Sequence, residues 1–314
     1  MKRHDMQGLL KSHLALIVVQ IMYGANYVVA KGLMPNVVGP NGFILIRGIG
    51  AVILFWTVLS FQREKITRND YVRMAICGLF GVAINQLMFF NGLMLTSPLN
   101  APVIMTTTPI LVLILSAIVL KERVKSMQVL GVLIGAVGSV FFILLNKEKG
   151  FASDTGDVYI LINAASYSLY LVLVKPLMLR YRPITVITWV FTFGLIYVLL
   201  WWPSSQEAAQ VHWTALSGFE VAQILFVVIG VTFVPYLLNV YAMKRVSPSV
   251  AAVYIYLQPV MAAAFVYLYS MLKLKDYTGD MTVGKALCAL LVFLGVYLVI
   301  RPDTFKKKNT LKSE

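Results

Sequence analysis

Three cations lie inside long apolar stretches of this chain: Lys31, Arg47 and Lys175. A fixed charge there is costly and faces a protein interior or a water-filled space. Two readings are open. Either the cations form a vestibule that favours solutes bearing a carboxylate, or their stems lie in lipid and their heads snorkel to the interface. Arg47 is the deepest, some six residues inside its stretch. Tyr23 and Tyr167 precede Lys31 and Lys175 by eight residues each. On a helix that is roughly 80° round and ~12 Å along the axis, which places each tyrosine deeper on a nearby face. Asn26 and Asn163 share those faces at helical spacing. Asn85, Asn91, Asn239, Tyr254 and Tyr256 add hydrogen-bonding groups, and Thr108-Pro109 and Gln258-Pro259 fall mid-stretch. Proline removes a donor and loosens the carbonyl one turn back. The polar backbone so exposed must face protein or a water-lined cavity.

The candidate substrate-binding set is therefore Tyr23, Asn26, Lys31, Arg47, Asn85, Asn91, Thr108, Tyr167, Asn239, Tyr254 and Gln258, with Pro109 and Pro259 as candidate gating positions. Each polar residue taken alone could instead be a helix–helix contact worth about 1 kcal/mol. Catalysis has little to work with. The sequence holds no His-Glu-x-x-His, Gly-x-Ser-x-Gly or P-loop pattern, and Cys77 and Cys288 sit in apolar runs. No cofactor and no metal is expected.

These residues need elements that hold them in a bilayer. The chain has 314 residues, 59% hydrophobic and 13% charged, with a mean hydropathy of +0.80. A soluble domain is typically ~45–50% apolar and ~25% charged, so soluble, disordered and disulfide-scaffold classes are excluded. A helix needs roughly 20 apolar residues to span a bilayer. About ten such stretches appear, near 14–34, 41–61, 71–95, 100–120, 127–146, 157–178, 184–203, 219–244, 249–271 and 281–301. The expected fold is an all-α integral membrane protein of ten transmembrane helices. The net charge of +14 does not point to nucleic acid, because the cations lie between the spans. With the N-terminus inside, 19 Lys and Arg fall in inner segments, 5 in outer loops and 3 within spans. By the positive-inside rule, residues 1–13 and the basic tail 302–314 are cytoplasmic.

The chain also repeats itself. Ser97-Pro98, Ala101, Val103 and Pro109 recur as Ser247-Pro248, Ala251, Val253 and Pro259 at an offset of 150. Tyr23, Lys31, Leu33 and Met34 recur as Tyr167, Lys175, Leu177 and Met178 at 144. Residues 14–146 and 157–301 thus read as two copies of a five-span unit. Five is odd, so the second copy enters the membrane from the opposite side, giving two inverted five-helix repeats of the kind common in secondary transporters.

The span order, the paired prolines Pro98…Pro109 and Pro248…Pro259, the Tyr-Ile-Tyr-Leu-Gln-Pro run ending at Pro259 and the Leu-Lys-Glu-Arg at 120–123 resemble the EamA-type drug/metabolite transporters. The resemblance covers nearly the whole chain. It implies a ten-helix carrier of small metabolites, often amino acids, and often an exporter. In that family an acidic residue often follows the fourth span of each half. Glu122 fits, but Leu272 stands at the matching place in the second half.

The expected function is secondary-type transport of a small metabolite, an amino acid or similar carboxylate-bearing compound, by alternating access and outward. The alternatives are a membrane scaffold or receptor without transport and a lipid-modifying enzyme. The expected setting is the bacterial inner membrane, with both termini cytoplasmic. Expected partners are a small-molecule substrate and the lipid bilayer, with no nucleic acid and a homodimer left open. No span interior carries a clear carboxylate, which favours facilitated export or exchange over tight proton coupling.

Overall fold

A computed structural model describes residues 3–60, 64–96, 101–144, 154–271 and 283–305. These residues are almost entirely helical and include no strand. Seven helices are long and apolar enough to cross a bilayer: Gln7–Leu33, Pro40–Leu59, Arg68–Leu95, Thr155–Arg180, Pro183–Leu200, Gly218–Met243 and Pro248–Tyr269. Thr108–Val119, Ser126–Gly138 and Leu290–Val299 are shorter apolar helices. The Ser97-Pro98 joint, Leu272 and the tail from residue 306 lie outside the described residues.

The first half runs α1 (Arg3–Leu33), α2 (Pro40–Leu59), α3 (Arg68–Gly78), a π turn (Leu79–Ile84), α4 (Asn85–Leu95), α5 (Ala101–Met105), α6 (Thr108–Val119) and α7 (Ser126–Leu144). The second runs α8 (Asp154–Arg180), α9 (Pro183–Leu200), α10 (Trp202–Ala209), α11 (Gly218–Phe226), a π turn (Val227–Phe233), α12 (Val234–Met243), α13 (Pro248–Val253), a 3₁₀ turn (Tyr254–Leu257), α14 (Gln258–Met271) and α15 (Val283–Phe305). The stretch 203–218 reads as a plain joint in the sequence, yet it holds α10 and a further 3₁₀ turn at Trp213–Ala215. The apolar count misses a short polar helix.

The irregularities recur at matching places. The π turns interrupt corresponding helices of the two halves. The helices that carry Pro109 and Pro259 are both broken just before the proline, at Thr106-Thr107 and at the 3₁₀ turn, where the ring denies the preceding turn its bond. Thr67 caps α3 by accepting from the Asp70 N–H, and Ser217, 150 residues on, caps α11 by accepting from the Glu220 N–H.

A π turn redirects carbonyls away from the helix ladder. In the first, side chains of neighbouring helices take them up. Ser166 Oγ donates to Phe80 O at 2.6 Å and the Tyr236 hydroxyl to Gly81 O at 3.2 Å; just past the turn, at the start of α4, Asn163 Nδ2 donates to Asn85 O at 2.7 Å. Near the other edge of the bundle, α7 and α15 cross with backbones in contact. A Cβ on Gly295 would lie 2.6 Å from Gly135 N and 2.7 Å from Gly131 O, so only glycine fits there. Buried aromatic rings fill the space between α2, α9 and α12: Phe55 stacks on Phe191 and Phe233, and Phe191 meets Tyr236 edge-on.

Candidate substrate cavity

A cavity opens among α1, α2, α4, α8 and α12. The volume that the centre of a water-sized sphere can reach there is about 60 Å³, room for a few water molecules. Six of the residues picked from sequence line it: Tyr23, Asn26, Arg47, Asn85, Tyr167 and Gln258.

Arg47 is 4% exposed. Its Nε donates to Thr232 Oγ1 at 3.0 Å, and its guanidinium carbon stands 4.6 Å from the centre of the Phe90 ring, a cation–π contact. Thr232 passes its own proton to Val227 O at 2.8 Å, a carbonyl of the second π turn. No carboxylate among the described residues pairs with Arg47, and its NH1 has no partner. Asn26 Oδ1, Gln86 Oε1 and Asn163 Oδ1, on residues of the same cavity, are likewise buried without partners. A buried polar group without a partner is costly, and one donor on a cation and three acceptors belong to residues of this one cavity.

The other lining polar groups are tied to one another. Tyr27 donates to Gln258 Oε1 at 2.7 Å, and Gln258 Nε2 donates to Gln20 Oε1 at 2.8 Å, joining α1 to α14. Gln86 Nε2 donates to the Tyr236 hydroxyl at 3.3 Å. These two residues are 150 apart, the repeat offset, so equivalent positions of the two halves touch. That offset was the sequence signal that could have found Gln86 and Tyr236. The sequence set also misses the apolar and aromatic lining of Tyr27, Phe89, Phe90, Met105 and Val231, which no polar count selects. Asn163, recognised only as a face-sharer of Tyr167, belongs to the cavity.

Five candidates stand elsewhere. Lys31 does not line the cavity: its Nζ donates to Leu93 O, Met94 O and Thr96 O at 2.7, 2.8 and 3.0 Å, closing the C-terminus of α4. Its repeat partner Lys175 donates to Met243 O and, at 2.7 Å, to Val246 O at the end of α12. Both ammonium groups complement the negative pole of a helix, not a lipid interface. Asn91 Nδ2 donates to Asn41 Oδ1 at 2.9 Å, beyond the cavity. Thr108 is fully buried with its hydroxyl unpartnered and outside the lining. Asn239 stands behind the cavity wall, donating to the Tyr167 hydroxyl at 2.5 Å. The Tyr254 hydroxyl bonds His13 Nδ1 at 2.7 Å, which turns it away from the cavity. Pro109 and Pro259 are buried at the helix breaks already described.

Helices apolar and long enough to cross a bilayer, packed around a cavity with polar groups in its wall, define an integral membrane protein. The model of the EamA-like transporter family matches residues 10–144 and again 154–301; the chain belongs to that family, and is an integral membrane transporter. An uncharacterized transporter of Archaeoglobus fulgidus is 28% identical over 250 residues, covering 78% of this chain and 83% of the relative. The uncharacterized transporter YyaM of Bacillus subtilis is 26% identical over 61% of this chain. The protein WALLS ARE THIN 1 of Arabidopsis thaliana is 22% identical over 95%. A solved crystal structure covers 96% of this chain with a TM-score of 0.68 at 18% identity, a likeness of fold alone.

Proposed function

We propose that this protein is a secondary carrier that exports a small carboxylate-bearing metabolite, an amino acid or a close relative, across the bacterial inner membrane by alternating access. Ten spans form two inverted five-helix repeats, 14–146 and 157–301, with both termini cytoplasmic. The single observation that carries the reading is Arg47: buried, without an acid partner among the described residues, and with an unpartnered NH1 on a cavity whose residues include three unpartnered amide oxygens. A carboxylate would satisfy the guanidinium, and an ammonium group would satisfy the oxygens. Phe89, Phe90 and Met105 offer apolar surface to the rest of the solute.

The repeat supports the mechanism. Lys31 and Lys175 seal corresponding helix ends, and the paired π turns and proline breaks are sites where two conformations of one unit can differ. A static scaffold would have no use for orphaned polar groups around a cavity. The relatives' names as transporters favour a carrier over an enzyme.

A thermal-shift screen of purified protein tests this, because a ligand that binds only the folded state raises Tm. Carboxylate-bearing metabolites are expected to stabilise the wild type, their amides to do so weakly, and Arg47→Ala to abolish the difference. Stabilisation that survives Arg47→Ala undiminished would remove Arg47 from the site.

A further inference from the structure

We propose that Glu207 and Glu64 are the two end latches of the transport cycle. Each acid comes from one half, holds the N-terminus of the second span of the other half, and releases it when the cavity opens at that end. The inference rests on the carrier reading above.

Both second spans begin with a proline at the first turn and with no side-chain cap of their own. Their first free N–H groups need acceptors, and the positive pole of the helix favours an anion. At α2 that anion is Glu207, from α10 of the other half. Its Oε2 accepts from the N–H groups of Asn41 and Gly42 at 2.7 and 3.0 Å, and its Oε1 from Asn41 Nδ2 at 2.6 Å. Glycines make the room: a Cβ on Gly39 would fall 2.3 Å from Glu207 Oε2, and one on Gly42 2.7 Å from Ala208 N. Asn91 Nδ2 on α4 then donates to Asn41 Oδ1 at 2.9 Å, so three elements are knotted at this end.

At α9 the acid is Glu64, which precedes α3 of the first half. Its Oε2 accepts from the N–H of Arg182, the residue just before the helix, at 3.1 Å. The two acids are 143 residues apart, as are Pro40 and Pro183, so the clamps exchange places between the halves. They differ in place: Glu207 takes two N–H groups of the first turn of α2, and Glu64 the N–H that leads into α9. Arg47 lies six residues beyond Asn41, ~9 Å along α2, so letting go of that end moves the cavity's cation. The released carboxylate and N–H groups return to water, which keeps the net cost of opening small.

The test uses Met105→Cys as a cavity reporter, in the full-length chain with Cys77→Ala and Cys288→Ala, reconstituted in liposomes. A membrane-impermeant maleimide is added to one face at a time. Glu207→Ala is expected to raise labelling about tenfold from the face on which Glu207 lies and not from the other. Glu64→Ala is expected to raise it about two- to threefold from the opposite face only. Asn91→Ala, which removes one strand of the knot and leaves the acid in place, should act like a weak Glu207→Ala and serves where that variant folds poorly. A rise at both faces equally would mark a structural role and overturn the latch. Unchanged labelling in Glu207→Ala or Asn91→Ala, beside a wild type whose reporter reacts with the maleimide from at least one face, would refute the latch alone. A wild-type reporter that reacts from neither face would take the carrier reading down with it.

Discussion

A guanidinium in an apolar span is tolerated only with compensating groups, and a lysine near a helix end finds them more easily. Lys31 and Lys175 have reached carbonyls left open at the ends of α4 and α12, while Arg47 has a hydroxyl, an aromatic face and one donor to spare. Substitutions should therefore separate the three. Lys31→Met, which orphans three carbonyls, should cost about 1–3 kcal/mol and lower Tm, while the substrate KM stays within a factor of two. Arg47→Ala should raise KM about tenfold or more at little cost in Tm. Transport kinetics in liposomes and thermal unfolding, measured on the same preparations, check both. A KM change in Lys31→Met would return that lysine to the site.

The helices here are not uniform rods, and their faults are placed. The first π turn hands carbonyls to Ser166 and Tyr236, and the first residue of α4 hands one to Asn163, which ties the wall of the cavity together. The prolines end one helical segment and start another without a cavity contact. Pro259→Ala should restore the missing donor, extend the helix through 254–257 and slow turnover several-fold while sparing Tm; an unchanged turnover number would leave the break with a packing role alone. The crossing of α7 and α15 is rigid by contrast. Gly295→Ala drives a methyl into backbone at 2.6 Å and should cost about 1–3 kcal/mol, read as lower Tm and yield.

At the scale of the whole chain, the proposed inverted duplication would place both termini on one face and let two halves trade conformations. Impermeant labelling of cysteines introduced near residue 5 and residue 310 should react from the same side of intact cells; reaction from opposite sides would end the inverted reading. Composition alone dictated a membrane protein, because too few polar residues exist to cover a soluble surface. The apolar lengths and the recurrence of Pro109 as Pro259 and Lys31 as Lys175 made the helical, duplicated plan legible. The spacing of Tyr23 and Tyr167, and the depth of Arg47, marked three of the residues that line the cavity. The packing of the two halves decided the rest, because a side chain's partner depends on which helix end or facing helix comes within reach. Sequence distance does not show that Lys31 meets the end of α4, that Tyr254 meets His13, or that Glu207 meets the start of α2. The same polar residue types serve as cap, strut or solute contact, and only the three-dimensional neighbours tell them apart.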